Sequence, residues 1–246
     1  MPTPFTHLHY AQRVWRDPAL PAHAHALLTA HLSEYLLGSV VADGQGGAGL
    51  PREATHFYTY DRPIEPMPWE IMLARYPMLQ HPTDPAARAY IAGYVFHLAM
   101  DAHWTLYMTA PEFGRATWGD RDRRFLMLHV LLIHMDERDR DALDPALAGA
   151  IGAAVPGDWL PFLSLEAVRL WQTLIHDQIK PDGASLTYAV MAPRVGMTPS
   201  DLAALIGDAE RVERHLWTHV PRALLADRET AMFAFARAAL IGYLSE

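Results

Sequence analysis

A chain of 246 residues that is 51% hydrophobic and 20% charged can bury a sizeable core, and its composition excludes a disordered polymer. Its formal net charge of −8 supplies no global positive field, so no extended nucleic-acid surface is expected. The absence of cysteine excludes disulfides and thiolate ligands, leaving His, Asp, Glu and backbone groups to hold any metal.

The first ten residues lack a basic segment followed by an apolar run, and no apolar stretch approaches the ~18 residues of a bilayer span. The expectation is one domain over 1–246, without a transmembrane segment, in the cytoplasm. Apolar residues at three- and four-residue spacing predict helices over 6–15 and 22–41, separated by Asp17, Pro18 and Pro21. The glycine-rich stretch 43–49 reads as a loop, and the aromatic, proline-bearing stretch 56–68 as irregular.

Asp84 followed by Pro85 is an N-cap with proline at the first helical position, and it opens a long helix over 86–109. This helix is apolar on nearly all faces, which places it in the middle of a domain, where its polar residues need partners. Further helices are predicted over 121–136, 141–154, 165–178, 199–219 and 228–244, and no alternating strand pattern is present. The fold class is therefore all-α, a single-domain multi-helix bundle.

Within the central helix, His97 and Asp101 are four residues apart, so both side chains leave one face. An imidazole nitrogen and a carboxylate one turn apart can bind one divalent cation, or can hydrogen-bond to each other in a helical core. The apolar surroundings favour the cation, because a buried carboxylate without one is costly. His7 opens the first helix, Asp43 follows the second, and His56 begins the aromatic stretch.

The ordered set Thr6-His7, Gly38-x-x-x-x-Asp43, His56-Phe57 and Gly93-Tyr94-x-x-His97-x-x-x-Asp101 resembles the zinc-dependent phospholipase C family. It is similar, more distantly, to the single-strand-specific zinc nucleases that share that helical fold. The likeness runs from the start of the chain through the central helix.

The resemblance implies a helical bundle of that type and one zinc site built from Asp43, His56, His97 and Asp101. Asp101 would bridge to a second zinc held by His7 and, in secreted members, by the amine of the mature N-terminus. Here Pro2 stands five residues before His7, and its amine is free only if Met1 is removed. The family's third metal takes a histidine in the register of position 107 and a later His-x-x-x-Asp or His-x-x-x-Glu pair. Position 107 is Tyr, and no histidine after His97 has Asp or Glu four residues on.

One or two zinc ions are thus expected rather than three. His103, His129 and His134, the last close to Asp136, are candidate additional metal ligands out of register, although a polar helix end also accounts for His129 and His134. His215 and His219 read as a solvated face, and His23, His25 and His31 as surface residues. Phe57, Tyr58 and Tyr60, with Trp69, either line a substrate cleft beside His56 or pack their loop onto the core. Tyr94 and Trp104 read as core.

The activity implied is hydrolysis of a small phosphate ester, foremost a phosphodiester, with Asp43 as the catalytic carboxylate that orients or deprotonates the attacking water. Two other readings stay open: a mono-metal enzyme with a different reaction, and a non-catalytic protein that keeps the fold and part of the site.

Overall fold

The computed structural model describes residues 2–245, and every regular element among them is helical. The α-helices are α1 (Pro4–Trp15), α2 (Ala22–Ala30), α3 (Leu32–Gly38), α4 (Glu53–His56), α5 (Pro68–Arg75), α6 (Pro85–Trp104) and α7 (Arg121–Asp141). They continue with α8 (Ala146–Ala153), α9 (Leu165–Ile179), α10 (Thr187–Met191), α11 (Pro199–Gly207), α12 (Ala209–Val212) and α13 (Arg222–Ser245). None of them is long and apolar enough to cross a membrane.

Helix α6 is the axis of the bundle, and its start follows from local chemistry. The Asp84 carboxylate accepts from the Ala86 N–H, and Pro85 at the first position needs no hydrogen-bond partner. From Ala89 to Trp104 every residue is buried, as a helix apolar on all sides requires. Helices α3 and α13 pack along it, while α1 packs on α7. After Trp104 the chain widens into a π-helix, Thr105–Gly114, that contains Pro111.

The α3–α6 crossing is unusually close. A Cβ placed on Gly38 would overlap the carbonyl oxygen of Tyr90, and one on Gly93 would overlap that of Tyr35. Glycine at both positions lets the two backbones touch. That contact brings the residue capping α3, Ser39, against the His97 level of α6.

Several predicted elements are divided. The helix expected over 22–41 breaks at His31, where φ is −126° and ψ is 43°. No proline or glycine marks the break, which lets α3 lie along α6 in a direction of its own. The stretch expected over 199–219 breaks at Asp208, whose side chain accepts from the Arg211 N–H and starts α12, and it ends in π turns at Glu213–Trp217. Helix α8 begins only after Asp144-Pro145, α7 runs on to Asp141, and α13 begins directly after Pro221. The loop expected over 43–49 opens as a 3-10 helix, Val41–Gly46. Helices α5 and α10 are short additions that periodicity does not single out.

Candidate metal centre

Four elements meet at one end of the α3–α6 crossing: α1 brings His7, the 3-10 turn brings Asp43, α4 ends on His56, and α6 supplies His97 and Asp101. The five side chains widely separated in sequence therefore converge. His7, His56, His97 and Asp101 are fully buried, and Asp43 keeps 16% of its side-chain surface exposed.

The histidine tautomers follow from their backbone partners. His97 Nδ1 lies 2.9 Å from the carbonyl oxygen of Ser39, which can only accept, so Nδ1 carries the proton and donates. His56 Nδ1 lies 3.2 Å from the carbonyl oxygen of Arg52 and 3.0 Å from Thr55 Oγ1, and it donates for the same reason. In a neutral imidazole the other nitrogen, Nε2, then presents a lone pair. The two Nε2 atoms face each other at 3.3 Å.

The carboxylates surround this pair. Asp43 Oδ1 and Asp101 Oδ2 each stand 3.4 Å from His56 Nε2, and Asp101 Oδ2 stands 3.7 Å from His97 Nε2. His7 stacks on His97 with ring centroids 3.8 Å apart and places its Nε2 3.3 Å from Asp101 Oδ1. Neither ring nitrogen of His7 nor Asp101 Oδ1 makes an aligned hydrogen bond, although all three are buried.

Burial dominates the protonation of His7 and His97 and pushes both below their ordinary value, with His97 further opposing a charge on His7. Burial also works against ionising Asp101 and is the largest single influence on it. The close approach and charge of His7, the charge of His97 and the Arg52 guanidinium together outweigh it and hold the carboxyl below its usual range. Asp43 behaves alike: burial opposes ionisation, but His56 and His97 bring it down to about 2. The shifts thus favour neutral His7 and His97 beside ionised Asp43 and Asp101.

That donor set fits a metal. Buried lone pairs aimed at one another repel unless a cation or proton lies between them, and two carboxylates against one guanidinium leave a negative balance that attracts a divalent ion. His7, His97 and Asp101 form one group able to hold an ion, and Asp43, His56 and His97 form another, with ligand atoms in each group within 4.8 Å of one another. The groups share His97.

The other candidates lie elsewhere. His103 packs against Tyr107 and Phe235, His129 donates from Nδ1 to the Phe125 carbonyl at 2.8 Å, and His134 meets the Trp217 ring edge-on. None of the three joins a metal-competent group among the described residues. His219 stacks on Trp118, and His215 pairs with Arg123.

Of the aromatics read as lining a cleft or packing their loop onto the core, Phe57 packs inward. Its backbone turns left-handed at φ 60° and directs the ring inward onto Tyr76 and Phe162. Tyr58 is buried with its hydroxyl 2.9 Å from Thr105 Oγ1, Trp69 meets Phe235 edge-on, and Tyr60 is 58% exposed.

Sequence reasoning missed Arg52. Its Nη2 donates to Asp101 Oδ2 and to Tyr58 Oη, each at 2.9 Å. The signal was present: Arg52 precedes His56 by four residues, the same spacing as His97 and Asp101. Comparison with known protein families, with curated proteins and with solved structures finds no match for this chain.

Proposed function

We propose that this chain is a metal-dependent hydrolase of a small phosphate ester, foremost a phosphodiester, working with one or two zinc ions in a bundle of the phospholipase C and zinc-nuclease type. The observation that carries the reading is the pair of imidazole lone pairs at 3.3 Å, flanked by Asp43 and Asp101 and buried without a proton donor between them. Nitrogen and carboxylate oxygen are the donors zinc takes in hydrolytic sites.

Asp43, His56 and His97, with Asp101, would hold one ion, and His7 with Asp101 would contribute to a second. A bound zinc ion supplies a Lewis acid that acidifies water and draws charge from a phosphoryl oxygen. The chain's own residues do the rest. Ser39 and Arg52, through their carbonyls, fix the imidazole tautomers so that Nε2 points inward.

Asp43 is the cluster's carboxylate with access to solvent, and it is ionised at neutral pH. It can accept a hydrogen bond from an attacking water and aim it. Its depressed pKa suits it to orienting that water more than to carrying the proton away. Burial of the remaining ligands excludes bulk water from the far side of the centre.

Elemental analysis of the purified protein, followed by assays on bis-p-nitrophenyl phosphate and p-nitrophenyl phosphate, tests the proposal. Bound zinc and turnover that disappears in Asp101→Ala are expected. Protein that takes up no zinc would overturn the reading, and zinc without turnover would leave a non-catalytic metal protein.

A further inference from the structure

The charged groups of the cluster differ sharply in exposure. His7, His56, His97 and Asp101 are sealed, whereas Asp43 and Arg52 retain 16% and 18% of their side-chain surface. Asp43 and Arg52 are therefore the charged groups of the cluster that a solute from solvent can meet. Asp43 repels an anion and Arg52 attracts one.

Arg52 is also held in place before any ligand arrives. Its guanidinium carbon lies 4.5 Å from the Tyr58 ring centre and 5.0 Å from that of Tyr60, and its Nη2 donates to Tyr58 Oη and Asp101 Oδ2. Tyr58 Oη is itself tied to Thr105 on the π-helix that prolongs α6. A guanidinium stacked on aromatic faces loses little freedom on binding, and its charge strengthens a hydrogen bond to a phosphoryl oxygen.

We propose that Arg52 is the anion clamp of this site: it takes an oxygen of a phosphoryl group at the entrance while holding the Asp101 carboxylate toward the histidines. The inference rests on the metal-site reading above and adds to it the residue that selects an anionic phosphoryl group. Charge decides between the options for the entrance. Two carboxylates, one guanidinium and one divalent ion leave the loaded site with a single positive charge, and removing Arg52 leaves it neutral. A neutral site with an exposed Asp43 would favour uncharged esters. Arg52 turns that preference toward anions.

Zinc-loaded wild type, Arg52→Gln and Arg52→Lys would be compared by zinc content and by calorimetric titration with inorganic phosphate, which needs no turnover. At zinc concentrations that keep the metal site filled, Arg52→Gln should bind phosphate about tenfold or more weakly, the loss of one charge-assisted hydrogen bond. Arg52→Lys, which keeps the charge without the planar guanidinium, should fall between the two. The clamp is overturned if Arg52→Gln binds phosphate within twofold of wild type. It is overturned as well if the glutamine variant loses zinc while the lysine variant keeps both zinc and wild-type phosphate affinity, since Arg52 then acts only by positioning Asp101. Should Arg52→Gln fail to fold, the lysine variant alone decides, and unchanged phosphate affinity there counts against the clamp. A wild type that takes up no zinc refutes the metal reading separately. In that event phosphate binding that depends on Arg52 would still support the clamp, and its absence would end it.

Discussion

The Nδ1–H of His97 donates to the backbone carbonyl of Ser39 at 2.9 Å, a bond that joins the central helix to the end of α3 and sets which nitrogen of His97 faces the cluster. The bond exists because Gly38 and Gly93 let the two helices touch. Gly93→Ala would force the backbones apart, and overpacking of this kind costs about 1–3 kcal/mol or more. Thermal unfolding should show that loss. Zinc titration should show weakened uptake beyond what a merely destabilised protein displays, because removing an orienting partner lowers metal affinity by roughly 10–100-fold. Unaltered zinc affinity in a folded Gly93→Ala protein would show that the crossing does not tune the site.

Zinc should stabilise the fold itself. The ligands come from four separate elements, so an ion that binds them all binds the folded chain in preference to the unfolded one. At a hundredfold excess over Kd the gain is about 2.7 kcal/mol, readable as a rise in Tm that a chelator reverses. In His97→Ala, which removes the ligand shared by both groups, the rise should disappear. A shift of equal size in that variant would place the ion elsewhere.

Histidines outside the cluster should not matter for the metal. His103, His129 and His134 are each committed to aromatic or carbonyl neighbours away from the five converging side chains. Substituting each by alanine should leave zinc stoichiometry unchanged, by elemental analysis, with His7→Ala as the contrasting case. A drop in zinc content for any of the three would bring it back as a ligand.

The all-α class and the central helix were legible because Asp84-Pro85 is a strong start signal and the following run has no polar face. Five residues that now converge stood out through their type and order. What stayed hidden is carried by backbone and direction. Ser39 acts through a carbonyl that any residue would offer, and the left-handed turn at Phe57 sends inward a ring that the aromatic stretch alone could equally send outward. Arg52 was overlooked for another reason. Its partner, Asp101, is 49 positions away in sequence, and only the packing of α4 against the 3-10 turn, and of that turn against α6, brings them together.

A second buried carboxylate, remote from the cluster, yields a prediction about pH. Asp136 on α7 is 2% exposed, and burial raises its pKa to about 6, against weaker opposing effects from Thr187, Thr3 and the Phe5 N–H. Thr187 Oγ1 donates to its Oδ2, and its Oδ1 has no aligned partner. The folded chain therefore holds this proton more tightly than the unfolded chain, whose aspartate titrates near 3.8. Stability from this group is complete below about pH 4 and is lost as pH rises through about 6, an amount of about 3 kcal/mol at most. Asp136→Asn is neutral at every pH and keeps an acceptor for Thr187. Its unfolding free energy, measured by urea denaturation, should accordingly fall less between pH 4 and pH 7 than that of wild type, and it should exceed wild type at pH 7. Parallel pH profiles for the two proteins would show that Asp136 is ionised in the fold at neutral pH without cost, with Thr3, Phe5 and Thr187 outweighing its burial.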